Sequence, residues 1–173
     1  MPLKNNIKIL SHLGATSETF VAPHIFVKYI GDNIKGKKWM KCNTYEREKY
    51  LSTLLEKFDW YPTLLYSDDN KKFLIFKYAG VPLNIKNMPC DFEHQFNKIL
   101  NDLKDINVQH NDIKHGEILV DNNKIYLCDF GWGSVNGNMN CGIDIWGCIN
   151  TKKPGGWQND ATTLERLNLV KKK

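Results

Sequence analysis

The sequence predicts an α+β fold built as two lobes. Three observations carry that prediction. The first half reads as short alternating strands interrupted by a single helical segment. The second half carries helical spacing interrupted by one strand pair. The change of character falls near Gly80. A length of 173 residues, 42% of them hydrophobic, suits one compact domain or two tightly packed lobes with a core of their own.

Residues 7–10 alternate as a strand should, and Gly14 to Ser17 reads as a turn. Residues 18–22 and 25–30 read as two more strands, split by Pro23-His24. Gly31, Asp32, Asn33 and Gly36 mark residues 31–38 as a loop. Over 44–57, Tyr45, Tyr50, Leu51, Leu54 and Leu55 recur at helical spacing, with Thr44 as an N-cap. Strands over 63–66 and 72–78 flank the polar stretch Ser67 to Asn70. Pro82 and Pro89 bracket a loop. A helix over 91–105 follows, capped by Asp91, with Phe92, Phe96, Ile99, Leu100 and Leu103 as its buried stripe. Strands over 118–120 and 125–128 are joined by Asp121-Asn122-Asn123. A Gly- and Asn-rich stretch covers 131–142, and short helices are expected over 143–150 and 160–170.

The formal net charge is +5, part of it in the closing Lys171-Lys172-Lys173 run, which reads as a solvated tail. That mild balance suits an anionic small molecule and does not argue for nucleic acid. Five cysteines are scattered without a CxxC pair, which fits free thiols in a reducing compartment and no structural metal site. No secretory leader and no run of about 20 apolar residues is present, so the expected setting is soluble and cytoplasmic, without a membrane.

The chemistry concentrates in 110–131, which runs His110-Asn111-Asp112-Ile113-Lys114-His115-Gly116-Glu117 and, after the strand pair, Asp129-Phe130-Gly131. A hairpin between Asp112 and Asp129 brings its two ends together, so two carboxylates converge at one edge. Phosphoryl transfer uses such a pair: one carboxylate orients the attacking hydroxyl and takes its proton, the other holds Mg²⁺ against the phosphates.

In this segment the chain resembles the protein-kinase superfamily. His110, Asp112 and Lys114 match the catalytic loop HRDLxxxN, and Asp129-Phe130-Gly131 matches the DFG motif in full. The resemblance implies a bilobal protein-kinase-like fold with a truncated C-terminal lobe, residues 1–79 forming the sheet-rich lobe and 80–173 the reduced, mainly helical one. It implies ATP and Mg²⁺ as cofactors and an unidentified hydroxyl acceptor, on a protein or a small molecule. Asp112 would be the catalytic base, with Lys114 stabilising the transferring phosphoryl group. Asp129 would be the principal metal ligand. Lys28, on the third strand, would grip the phosphates and pair with Glu48 on the following helix, where Leu51 and Leu55 share its spacing; Glu46 is the competing partner. The backbone from Lys77 to Ala79 would meet adenine. Asp144-Ile145-Trp146-Gly147 resembles the helix that braces the catalytic loop from below.

Four departures set the chain apart. Gly14 to Phe20 keeps only one glycine where kinases carry GxGxxG, leaving Ser17 to offer a hydrogen bond to phosphate. That loop is closer to RIO-type atypical kinases and aminoglycoside phosphotransferases. Glu117 stands in place of the catalytic-loop Asn, a second hard oxygen ligand for a metal but also an added negative charge. Asn111 replaces the Arg of HRD. Only the twelve residues 132–143 separate Gly131 from Asp144, too few for an activation segment. The same features describe, as the alternative, a nucleotide-binding pseudokinase without turnover.

Overall fold

The computed structural model describes residues 10–13, 17–30 and 44–136. Within them the architecture is α+β, with antiparallel sheets and two α-helices. Strands β1 (Leu10–Leu13), β2 (Glu18–Ala22), β3 (Ile25–Tyr29), β4 (Leu64–Asp68) and β5 (Phe73–Lys77) form one sheet in the order β1-β2-β3-β5-β4. β1 lies three residues later than the alternation over 7–10 suggests; residues 7–9 fall outside the described range. Pro23-His24 turns β2 into β3, with His24 at φ 73. The polar turn after β4 also comes later than expected, at 69–72. Asp68 extends the strand and then accepts the Asn70 and Lys71 N–H groups on Oδ1, an Asx turn that starts the reversal.

Helix α1 (Thr44–Leu55) buries Tyr45, Leu51 and Leu55, and with them the polar Arg47, Glu48 and Ser52. Helix α2 (Phe92–Asp105) is more conventional: Phe92, Phe96, Ile99 and Leu103 form its buried stripe. Asp91 occupies the N-cap position but makes no side-chain cap. Its carboxylate accepts instead from Gln95 Nε2 at 2.8 Å. Gln95 in turn accepts from the Ile125 N–H and donates to Asn123 O, which ties α2 to the second sheet.

That second sheet has three strands in the order β6 (Val81–Pro82), β8 (Ile118–Asp121), β9 (Lys124–Leu127). Pro82, expected in a loop, sits on the edge strand β6, where a missing N–H is tolerated. Asn122 and Asn123 both have positive φ and close a tight turn between β8 and β9. A further two-stranded ladder pairs β7 (Val108–Gln109) with β10 (Ser134–Val135). One hydrophobic core runs from Tyr45 and Leu51 on α1 through Leu74 and Phe76 on β5 to Ile99 on α2, Ile118 on β8 and Phe130.

Among the described residues no helix is long and apolar enough to cross a membrane. The helices expected over 143–150 and 160–170, Asp144 and the closing lysines lie outside the described residues.

Candidate active site

β3 is the central strand of the five, paired to β2 and β5, so a side chain on its core face has little access to water. Lys28 stands on that face and is 4% exposed. A buried ammonium is costly unless it is paired. Lys28 Nζ donates to Glu48 Oε2 at 2.6 Å and to Asp129 Oδ1 at 2.5 Å. Two of its three N–H donors are thereby used.

Glu48 reaches Lys28 because of its phase on α1. It lies three residues before Leu51 and seven before Leu55, both fully buried, so its carboxylate faces inward with them. Glu46 points elsewhere and pairs with Lys72. Asp129 follows β9 directly, in the left-handed region at φ 63, and opens a single 3₁₀ turn over Phe130–Trp132. Phe130 is fully buried, its ring 4.5 Å from that of His110 and 5.7 Å, edge-on, from that of Tyr61. These contacts anchor the turn that presents Asp129.

Glu117 comes to the same place through the second sheet. Its carbonyl accepts from the Cys128 N–H at 2.9 Å, extending the β8–β9 register by one step and setting Glu117 next to the residue that precedes Asp129. Lys114 Nζ bridges Asp112 Oδ2 at 2.6 Å and Glu117 Oε1 at 3.0 Å. His110 accepts from the Asp112 N–H on Nδ1 and donates from Nε2 to Cys128 O, so it braces the backbone at both ends of the hairpin. Of the residues read from sequence, Lys28, Glu48 and Asp129 form one set of contacts and Asp112, Lys114 and Glu117 a second, and the two come side by side where Glu117 O accepts from the N–H of Cys128, the residue before Asp129; together they make the candidate set.

The electrostatics of that set are unbalanced. Two ammonium groups face four carboxylates, a net of −2 when all are ionised. Burial pulls the Lys28 pKa down, but Asp129 and Glu48 outweigh it and hold it above the usual lysine range. Lys114 behaves likewise, its burial overcome by Asp112 and Glu117. Asp129 is half-buried, and loss of hydration would raise its pKa, yet Lys28 keeps it below the usual carboxylate value. The surplus charge shows at Glu48 and Glu117. Burial and the charge of Asp129 push Glu48 up to about 7 against the pull of Lys28. The same two causes push Glu117 to about 7 against the pull of Lys114.

A dication matches this surplus. Among the described residues no group of three His, Cys, Asp or Glu side chains converges to hold a metal alone. Mg²⁺ does not need one, since it takes one or two carboxylates and completes its octahedron with water and phosphate oxygens. Asp129 and Glu117 fit that role by chemistry and by charge.

The remaining sequence-predicted residues stand apart. Among the described residues no hydrogen bond or ion pair joins Ser17, Lys77 or Ala79 to the set. Ser17 is buried just before β2. Lys77 ends β5 with its side chain exposed and its N–H taken by Thr63 O; the Tyr78 N–H is taken by His24 O. Two of the three backbone N–H groups expected over 77–79 to meet adenine are thus bonded within the fold.

Arg47 escaped the sequence reading, and Asn111 entered it only as a departure from the kinase pattern, not for its contacts. Arg47 is fully buried on α1, and its Nη1 donates to Gly131 O at 2.5 Å. Its place four residues before Leu51 and seven before Leu54 put it on the inward stripe, a signal that was available. Asn111, at φ 68, donates from Nδ2 to Trp132 O and to Ser134 Oγ. Its sequence neighbourhood carries no sign of this, because both partners lie more than 20 residues away. A cleft of about 270 Å³ between α2 and β9, lined by Trp60, His94, Lys98 and Lys124 among others, shares no residue with the site. No protein-family model matches the chain, and no curated protein matches it.

Proposed function

We propose that this chain is a small atypical kinase that binds ATP with Mg²⁺ and transfers the γ-phosphoryl group to a hydroxyl on a protein or a small molecule. A bilobal protein-kinase-like fold with a reduced second lobe belongs to the same proposal. The single observation that carries it is Lys28: a fully buried ammonium on a central strand, bonded both to a helix glutamate and to the aspartate of Asp-Phe-Gly. A lysine placed there for stability alone would be a costly choice, whereas a phosphate-binding site requires a cation held ready in low dielectric.

ATP with its Mg²⁺ would supply the transferable phosphoryl group and part of the charge that shields it. The chain's own residues do the rest. Lys28 offers its third N–H to a phosphate oxygen while Glu48 holds its direction. Asp129 and Glu117 provide carboxylate oxygens for the metal. Asp112, partly open to solvent and steadied by Lys114 and His110, would accept the proton of the attacking hydroxyl as its oxygen bonds to the γ-phosphorus and the bond from that phosphorus to the bridging oxygen breaks, ADP leaving with the electron pair. Lys114, bonded to Asp112 and Glu117, would offset developing negative charge.

Glu117 favours the second reading, a nucleotide-binding pseudokinase, because it places a further negative charge where phosphates would sit. One experiment separates the two. Wild type, Asp129→Asn and Asp112→Asn are incubated with labelled ATP and generic hydroxyl acceptors, and each is melted with ATP in Mg²⁺ or in EDTA. For a kinase, wild type transfers label and is stabilised by ATP only with Mg²⁺. Asp129→Asn loses that stabilisation. Asp112→Asn keeps it and slows transfer by roughly 10²–10⁴-fold. Stabilisation without transfer selects the pseudokinase. ATP stabilisation equal in Mg²⁺ and EDTA removes the metal assignment, and no stabilisation at all removes both readings.

A further inference from the structure

We infer that Arg47 is a positioning residue that holds the Asp129 turn against α1, an inference that rests on the phosphotransferase reading for its functional consequence. Arg47 and Glu48 are neighbours in sequence and both buried, an unusual use of two successive charged residues on a helix. They face different partners. Glu48 fastens α1 to β3 through Lys28, and Arg47 fastens α1 to the carbonyl of Gly131, two residues beyond Asp129. Between those two attachments lies the Asp129 carboxylate, itself bonded to Lys28. α1, β3 and the Asp129 turn thereby form a closed ring of contacts, in which Arg47 is the link that reaches the turn's backbone.

The space around the turn shows how close that fit is. A Cβ on Gly131 would lie 3.6 Å from Thr44 Cβ and 3.8 Å from Glu48 Oε2, so α1 passes directly over the turn. Asp129 sits in a left-handed conformation that few residues adopt unaided, and its own side chain accepts from the Gly131 N–H only at the long distance of 3.4 Å. The charged hydrogen bond from Arg47 holds the middle of the turn at Gly131 O, while Asn111 Nδ2 holds its far end at Trp132 O. Its consequence is a turn fixed to α1, with the Asp129 carboxylate kept on Lys28.

The test uses Arg47→Met, which keeps length and removes the donors, and Arg47→Lys, which keeps charge and loses the fork. ATP affinity is measured by calorimetry with Mg²⁺ and with EDTA, and amide hydrogen exchange is followed at Gly131 and Gly133, with Leu127 on β9 as the internal reference. For Arg47→Met, the Mg²⁺-dependent gain in ATP affinity should fall by roughly tenfold or more, while affinity in EDTA stays the same. Exchange at Gly131 and Gly133 should accelerate relative to Leu127, and Arg47→Lys should recover part of both. A lower melting temperature with an unchanged Mg²⁺-dependent gain and unchanged relative exchange makes Arg47 a core filler and overturns the inference. Should wild type show no Mg²⁺-dependent affinity, the phosphotransferase reading falls, and the exchange data alone decide whether Arg47 holds the turn. If Arg47→Met does not fold, Arg47→Lys replaces it: a reduced Mg²⁺-dependent gain with faster relative exchange supports the inference, and no change in either overturns it.

Discussion

Lys28, Glu48 and Glu117 show what one residue's surroundings do to its chemistry. The alternation of β3 permits Lys28 on either face; the partners on α1 and after β9 draw it inward. The choice between Glu46 and Glu48 is a matter of helix phase, and burial of Leu51 and Leu55 settles it for Glu48. The surplus of carboxylates has a measurable consequence. Glu48 and Glu117 titrate at about 7 in the folded chain against an ordinary 4.5. Between those values the folded chain keeps protons that the unfolded chain has lost, so their contribution to stability is complete below 4.5 and is lost as pH rises through about 7. Asp129 runs the other way: its depressed pKa contributes stability above the ordinary carboxylate range that is lost only in acid. In metal-free buffer the melting temperature should therefore fall between about pH 5 and about pH 8, and Glu117→Gln should flatten that fall. A melting temperature that holds level or rises over this range in wild type, with the same profile in the variant, contradicts the charge balance described for the site.

At the scale of elements, legibility follows from how local the determinants are. α2 announces itself through its stripe, and the β8–β9 hairpin through its Asn-Asn turn, because both signals lie within a few residues. β6, β7 and β10 are two residues each and exist only because a distant partner strand completes their hydrogen bonds, so no window of sequence contains them. Asp91 was readable as a cap but spends its carboxylate on Gln95, whose other bonds reach the β8–β9 turn and β9. The junction between the two larger sheets turns on Gly80, at φ 107, where a Cβ would come 2.1 Å from Val120 O. A rigid carbonyl in a paired strand cannot yield, and the backbone conformation is itself strained for an alanine. Gly80→Ala should cost about 2–4 kcal/mol, read as a lower denaturant midpoint at unchanged slope. A midpoint within error of wild type would show that the chain reroutes between β5 and β6.

Across the molecule, the site is assembled from three stretches that share one core. Lys28 comes from the first sheet, Glu48 and Arg47 from α1, and residues 110–131 from the second sheet and its flanks. Phe130 is the apolar partner of this arrangement, fully buried in the cluster that also holds Leu51, Leu74, Ile99 and Ile118. Truncating it removes the packing beneath Asp129 and leaves a cavity among side chains of both sheets and both helices. Phe130→Ala should lower stability by about 3–5 kcal/mol. Because one core serves all these elements, the loss should displace a single transition, with far-ultraviolet dichroism and tryptophan fluorescence moving together. Two separated transitions would mean that the sheets unfold independently.

By itself the sequence determined the α+β class, the main strands and helices, and the residue types of the site, because each is written in short periodic patterns and in the spacing of His110, Asp112 and Asp129. Those patterns are local, and local sterics and hydrophobic burial enforce them wherever the chain goes. Only the tertiary structure decided who meets whom. The Lys28–Asp129 bond spans 101 residues and the Arg47–Gly131 bond 84, and neither end carries a mark of the other. Such pairings are settled when one core forms and buried charges must find partners or lose their hydration uncompensated.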